Sequence, residues 1–112
     1  MINAAIDVHK ELGCGFLEIV YKDALCIEFD GRGYFYEREK LYPVYYKEVL
    51  LPHSFYADVI VFDSVILEIK SKNGIANEDL AQTINYIKCS DCTVGLVLNF
   101  GKPTLEIRHV VL

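Results

Sequence analysis

Two neighbouring apolar segments, each interrupted by one carboxylate, constrain this chain more than any other feature of its sequence. They are FYADVIVF, which contains Asp58, and VILEIK, which contains Glu68. Both are rich in β-branched residues, which favours β-strands. Because side chains alternate along a strand, Glu68 and Lys70 project from one face, at otherwise apolar positions. A buried charge needs a partner, so this face either contacts water or has a chemical role.

The turn between these two segments decides whether their carboxylates meet. A two-residue turn over 63–64 would direct Asp58 and Glu68 to opposite faces of the hairpin. A three-residue loop over 63–65, or a bulge, would direct both to one face together with Lys70. A shared role for the two carboxylates therefore requires the longer loop or the bulge.

Two carboxylates on adjacent strands are a suitable ligand set for a divalent cation. Mg²⁺ and Mn²⁺ prefer oxygen ligands and keep coordination positions open for water and a phosphate. Lys70 beside them could orient or deprotonate the attacking water, or stabilise charge that develops on the phosphate. The alternative is an exposed Glu–Lys pair that stabilises little, and residue spacing alone favours this alternative.

The remaining sequence predicts helices around a β-sheet. The spacing of apolar residues predicts three helices, at 2–12, about 16–29 and 77–89. Aromatic and β-branched segments predict six strands, at 34–40, 42–50, 54–62, 64–71, 93–99 and 104–111. One helix crosses between two strands, which indicates an α/β or α+β sandwich.

The predicted second helix is apolar on more than one face. The expected core stripe consists of Phe16, Val20, Ala24 and Ile27. Glu18 lies on another face, among the largely apolar residues Tyr21, Leu25 and Phe29. A carboxylate in such surroundings needs a cation, a metal or a hydrogen-bond donor.

Composition favours a globular protein and sets limits on its partners. The 112 residues are 53% hydrophobic, which suits a domain with a real core. No apolar run approaches the roughly 20 residues that span a bilayer, and we see no signal peptide, so we expect a cytoplasmic protein without membrane association. The net charge of −5 argues against coating nucleic acid by charge alone. A metal-binding carboxylate cluster would itself make the protein acidic.

The four cysteines are too few and too irregularly spaced for a secreted disulfide framework. Cys89 and Cys92 form a CxxC pair, but a structural zinc site would also need Cys14 and Cys26 beside them. We favour ordinary reduced thiols over a zinc or redox site. Bound zinc after purification would indicate the opposite.

Two motifs resemble those of the PD-(D/E)xK nuclease superfamily. Asp58, followed after nine residues by Glu68 and Lys70, is similar to the superfamily signature, with AD in place of PD. QTINY, from Gln82 to Tyr86, resembles the QxxxY motif of the exonuclease-like branch and lies on the helix after the strand that carries Lys70.

A third motif resembles the GxxExxY proteins, a small branch of this superfamily. GFLEIVY, residues 15–21, is similar to the motif for which the branch is named. The segments VHKELGCGFLE, YADVIV, LEIK, QTINYIK and GLVLNFG occur in the order typical of the family. Cys14 stands where we would expect proline, which should affect a turn and not the chemistry.

The resemblance implies a fold and a set of residue roles. The fold is a restriction-endonuclease-like core, a mixed central sheet of four or five strands flanked by helices, as a single nuclease-like domain over 1–112. The implied metal ligands are Glu18, Asp58, Glu68 and the backbone carbonyl of Ile69. Lys70 would act on the nucleophilic water as a catalytic residue beside Asp58 and Glu68. Gln82 and Tyr86 would position the substrate or Lys70.

The leading hypothesis is therefore a nuclease that uses Mg²⁺ or Mn²⁺ to hydrolyse phosphodiester bonds of nucleic acid, with DNA favoured over RNA. We expect specificity to come from a homo-oligomer, a protein partner or the shape of the nucleic acid. The alternative is a non-catalytic protein with the nuclease fold and a binding or assembly role. In either case, we expect removal of Asp58 or Glu68 to raise the stability of the metal-free protein by relieving carboxylate repulsion.

Overall fold

The computed structural model describes residues 1–112 as three helices and a five-stranded sheet. The elements are α1 (Ile2–Leu12), α2 (Glu18–Arg32), β1 (Tyr36–Tyr46), β2 (Val49–Val61), β3 (Val65–Lys70), α3 (Asn77–Cys89), β4 (Val94–Asn99) and β5 (Glu106–Val111). The strands lie in chain order across the sheet. β3 and β4 are parallel, with α3 between them in sequence, and all other neighbours are antiparallel. This confirms the predicted α+β architecture of a mixed sheet flanked by helices.

The prediction of six strands was wrong in the first half of the sheet. β1 and β2 each continue through a predicted break and meet at a two-residue turn, Lys47–Glu48. Both turn residues have positive φ, 47° and 68°, as hairpin turns that match the strand twist require. Pro43 does not end β1 because β1 is an edge strand, where proline is tolerated. Pro52 lies opposite the point where the register shifts.

Each face of the sheet has its own hydrophobic core. α1 and α2 cover one face, where buried helix residues such as Ala5, Leu25 and Phe29 pack on Val59 and Leu67. α3 covers the other face, whose buried residues include Ala57, Ile60, Ile66, Tyr86, Ile87 and Val97. Full burial of one large apolar side chain contributes about 1.5–3 kcal/mol, so the two cores fix the sheet between the helices.

The buried face of α2 differs from the predicted one. Its fully buried residues are Tyr21, Leu25 and Phe29, whereas Phe16 and Ile27 of the expected core stripe are exposed. Glu18 is the first residue of the helix and is exposed to solvent. Its charge is favourable there because the helix dipole is positive at the N-terminus. The expectation that Glu18 is surrounded by apolar side chains was therefore wrong.

The helices and cysteines show two further features. None of the three helices is both long enough and apolar enough to cross a membrane. All four cysteines are free thiols.

Candidate active site at the end of the central hairpin

A three-residue turn brings the two carboxylates of the β2–β3 hairpin together. Val61 pairs with Val65, which leaves 62–64 as the turn. The turn has the length that the metal hypothesis requires, but it begins one residue earlier than the predicted loop. Continued along the strands, the same register places Asp58 opposite Glu68, so the two carboxylates come from directly facing strand positions.

Side-chain hydrogen bonds replace the strand ladder at this point. The regular pairing of β2 with β3 ends at Val59 and Leu67. Beyond them, the backbone N–H of Ile69 donates to Asp58 Oδ2 at 2.9 Å. The backbone N–H of Asp58 donates to Glu68 Oε1 at a longer distance, 3.5 Å. Each carboxylate therefore accepts a backbone N–H of the neighbouring strand, which fixes its position.

Glu68 is deeply buried beside a second carboxylate. The residue is only 3% exposed. Burial raises the pKa of its carboxyl to about 9, with further contributions from the charge and hydrogen bonding of Asp58, while Lys70 opposes the change. Without a bound cation, Glu68 is mainly protonated at neutral pH. A buried carboxyl with a raised pKa is a group that a divalent cation can convert to a carboxylate.

Lys22 is a buried counter-charge for Asp58 that the sequence analysis did not identify. Its Nζ donates to Asp58 Oδ1 at 3.0 Å and lies 3.5 Å from Glu39 Oε1, while the residue is 8% exposed. Burial lowers the pKa of Lys22, but its bonds to Asp58 and Glu39 outweigh burial and raise that pKa above its usual value. Lys22 follows Glu18 by one helical turn, which was the only sequence signal for it.

Glu18 lies apart from this carboxylate pair. It is exposed at the start of α2, and no group of three or more His, Cys, Asp or Glu residues is arranged to hold a metal ion. Of the predicted ligands, Asp58, Glu68 and the backbone of Ile69 lie together. The metal-binding role of all four residues remains a prediction.

The loop before Glu18 is nevertheless tied to the end of β3. The hydroxyl of Tyr21 donates to the carbonyl of Gly13 at 2.6 Å and accepts the N–H of Phe16 at 3.3 Å. The hydroxyl of Ser71 donates to the carbonyl of Phe16 at 2.6 Å. Tyr21 therefore has a structural role in holding the loop, and Ser71 connects that loop to the strand of Lys70.

Lys70 lies beside Asp79, another residue that the sequence did not point to. The Nζ of Lys70 lies 4.0 Å from Asp79 Oδ1, and the Nζ of Lys72 lies 2.7 Å from Asp79 Oδ2. Asp79 also accepts the N–H of Ala76 at 2.8 Å. Burial would raise the pKa of Asp79, but the bonds from Lys72 and Ala76 lower it below its usual value. Asp79 is thus an ionised partner for both lysines.

Gln82 and Tyr86 occupy different environments on α3. Gln82 is exposed, whereas Tyr86 is buried and its ring is nearly perpendicular to that of Phe55, at a centroid distance of 5.4 Å. Burial and then the charges of Glu68 and Asp58 raise the pKa of Tyr86 to about 12. Tyr86 is therefore a neutral phenol within electrostatic range of the carboxylate pair. The substrate-positioning role of both residues remains a prediction.

Asn99 fixes the segment that follows Lys70. Its buried side chain accepts the N–H groups of Lys72 at 3.0 Å and Gly101 at 3.1 Å, and donates to the carbonyl of Lys72 at 3.0 Å and to Glu106 at 3.1 Å. A Cβ at Gly101 would lie 2.2 Å from the backbone nitrogen of Lys72, so only glycine fits there. These contacts hold the end of β3 rigidly beside β4, and with it the backbone of Lys70.

Comparison with known protein families gives a match. A family model for the PD-(D/E)XK nuclease superfamily matches residues 1–110, which include all three helices and nearly all of the sheet. No curated protein and no solved structure gives a significant match. The three helices and the five-stranded mixed sheet are consistent with the restriction-endonuclease-like fold of that superfamily.

Proposed function

Because the chain belongs to the PD-(D/E)XK nuclease superfamily, we propose that it is a metal-dependent nuclease that hydrolyses phosphodiester bonds. The observation that supports this most directly is the Asp58–Glu68 pair, which lies at the end of the β2–β3 hairpin, with Glu68 on the same strand as Lys70. We further propose that the chain belongs to the GxxExxY branch, because Gly15, Glu18 and Tyr21 match its motif.

The oxygen atoms available at this site are ligands of the kind that a divalent cation prefers. Asp58 and Glu68 offer carboxylate oxygens. Burial and the neighbouring Asp58 raise the pKa of Glu68, and the positive charge of Lys70 offsets only part of this increase. These two residues and the carbonyl of Ile69 would hold Mg²⁺ or Mn²⁺, with Glu18 as a further proposed ligand. When bound, the ion would supply positive charge at the phosphate and lower the pKa of a water molecule.

Lys70 is the proposed catalytic residue on the protein side. Its ammonium lies near Asp79, and its backbone is fixed by the rigid end of β3. From this position it would orient the attacking water or stabilise charge that develops on the phosphate. Asp79 would act through Lys70, as a positioning residue.

We propose nucleic acid as the substrate, with DNA in preference to RNA. Gln82 and Tyr86 would position the substrate or Lys70. The net charge of −5 means that attraction to phosphates cannot come from the whole surface. Specificity would therefore depend on local groups such as Lys70 and Lys72, and on a second copy of the chain or a protein partner.

One observation favours the alternative, a non-catalytic protein with a binding or assembly role. Asp58 already has a full set of partners in Lys22 and the N–H of Ile69, so its charge is compensated without a metal. Affinity for Mn²⁺ that disappears in Asp58→Ala would favour the nuclease. Absence of metal binding by the natural chain would favour the alternative.

A cleavage assay with matched variants tests the proposed activity. The purified chain is incubated with single-stranded, double-stranded and flapped DNA and with RNA, in Mg²⁺ or Mn²⁺. Glu68→Gln removes the buried carboxylate while keeping its shape, and Glu78→Gln removes an exposed carboxylate on α3 as a control. We expect cleavage by the natural chain and by Glu78→Gln, and none by Glu68→Gln or with a chelator. Equal cleavage by all three proteins would contradict the assignment.

A further inference from the structure

The outer part of the β1–β2 hairpin exposes an apolar surface that the proposed active site does not use. We call residues 41–56 the arm. Seven of its large apolar side chains are between 37% and 64% exposed: Leu41, Tyr45, Tyr46, Val49, Leu50, Leu51 and Tyr56. Contiguous apolar surface of this extent marks interaction sites, and a two-stranded hairpin is marginally stable in water unless something covers it.

The strand register places much of this surface on one face of the arm. Three alternating cross-strand pairs share that face: Leu41–Tyr56, Pro43–Ser54 and Tyr45–Leu50. The intervening pair, Tyr42 with Phe55, points to the other side of the sheet, where it joins the core beneath α3. The exposed face is therefore the one that α3 cannot cover.

The composition of the arm is typical of a protein interface. Within residues 41–56, only Lys47 and Glu48 carry a formal charge, and both lie in the turn at the tip. Four of the eight tyrosines of the chain fall in the arm. Interface cores are depleted in charge and enriched in aromatic residues. A nucleic-acid-binding surface would need an excess of cations, which the arm lacks.

The exposed area of this face suits a weak association. Leu41, Tyr45, Leu50 and Tyr56, which share the face, are 48–61% exposed. Since an aromatic side chain can bury about 150–250 Å², Tyr45 and Tyr56 together expose on the order of 200–300 Å². With the two leucines, the face reaches the low end of interface areas, where associations are weak.

We propose that two copies of this chain form a symmetric dimer through the apolar faces of their arms. A two-fold interface uses the same patch on both copies, so the patch must not repel itself. The arm meets this condition because its two charges cancel, although the whole chain carries −5. Packing of faces is favoured over pairing of the β1 edges because Pro43 interrupts the donors of that edge.

Sedimentation velocity on the full chain tests the dimer. We expect a particle of twice 12.8 kDa within the range of about 1 to about 100 µM, where a weak interface becomes occupied. Tyr45→Ser/Leu50→Ser should raise the dissociation constant at least about tenfold. The control Ile27→Ser/Val111→Ser removes two equally exposed apolar residues outside the arm and should leave the dimer unchanged.

Two results would overturn the dimer. The first is a natural chain that stays monomeric over the whole range; loss of binding to single-stranded DNA in the arm variant would then make the arm a nucleic-acid surface. The second is an equal effect of the arm and control variants. Tyr45→Lys, which places like charges across the two-fold axis without removing a strand pair, repeats the test if the double variant is unfolded by circular dichroism.

Discussion

The inner part of the β1–β2 hairpin buries charged groups, whereas its outer arm exposes apolar ones. At the inner end, Asp58 and Lys22 form an ion pair at 3.0 Å beside the buried carboxyl of Glu68. Farther along the same two strands, Tyr45 and Leu50 face solvent. Both regions depart from the usual distribution, in which apolar groups are inside and charges outside.

The comparison shows that each departure needs a different compensation. The buried charges are compensated within the chain, by the ammonium of Lys22 and by backbone N–H groups. The exposed apolar groups have no such partner in the chain, and burial against another surface would stabilise them. The inner end therefore depends on electrostatics and the arm on solvent exclusion, and substitutions can separate the two.

The largest expected effect is the loss of cleavage in Lys70→Ala. Removal of a group that acts on the attacking water should lower the single-turnover rate by about 10²–10⁴-fold. Affinity for Mn²⁺, measured by calorimetry, should persist because Lys70 is not a proposed ligand. Lys88→Ala, an exposed lysine on α3, is the control. Retained cleavage in Lys70→Ala would show that this lysine is not catalytic.

A large loss of stability should follow removal of either partner of the buried ion pair. Lys22→Ala leaves Asp58 without its counter-charge, and Asp58→Ala leaves Lys22 only the longer contact with the exposed Glu39. Each should cost about 3 kcal/mol in the free energy of unfolding. This reverses, for Asp58, the expectation that its removal relieves repulsion, because the structure shows the partner that the sequence did not.

Urea denaturation without metal measures this loss, with an exposed ion pair for comparison. Asp23 lies 2.7 Å from Arg38 in a solvent-exposed pair, so Asp23→Ala should change the unfolding free energy by no more than about 1 kcal/mol. Similar small losses in Lys22→Ala and Asp23→Ala would contradict the distinction between buried and exposed charge.

Glu68→Gln should have the opposite effect and stabilise the metal-free protein at high pH. The pKa of Glu68 is raised to about 9 in the folded state, above its ordinary value of 4.5. The protonated carboxyl favours the folded state, so its contribution to the free energy of unfolding is fully present below pH 4.5 and is lost as the pH rises through 9. We expect Glu68→Gln to gain at least about 1 kcal/mol over the natural chain at pH 8, with no gain near pH 5. Parallel curves of unfolding free energy against pH, measured with a chelator, would contradict the raised pKa.

The fold was predictable where the signal is local. α1 was predicted from Ile2 to Leu12, as observed, because apolar residues at helical spacing end there at a glycine. The strand break predicted near Pro52 was wrong. A proline at a register shift within a long strand has the same sequence pattern as a proline at the end of a strand. The buried face of α2 could not be chosen because both of its stripes are apolar, and only contact with the sheet selects one.

The candidate site was predictable only in part, for a related reason. Asp58, Glu68 and Lys70 belong to one hairpin, so strand alternation and turn length bring them together. Lys22 meets Asp58 across 36 residues of sequence, and that contact depends on how α2 packs on the sheet. The pairing of Lys70 with Asp79 likewise depends on the position of α3 beside β3. Local patterns do not encode such contacts.

The smallest expected effect is that of Gln82→Ala, which tests whether an exposed polar residue on α3 has a functional role. The side chain is exposed and forms no hydrogen bond within the chain, so the unfolding free energy should change by less than about 0.5 kcal/mol. If Gln82 positions the substrate, kcat/KM should still fall by about 3–10-fold. Asn85→Ala, another exposed amide on α3, should leave both quantities unchanged. Equal losses of activity in the two variants would show that the surface of α3, and not the QxxxY spacing, determines the effect.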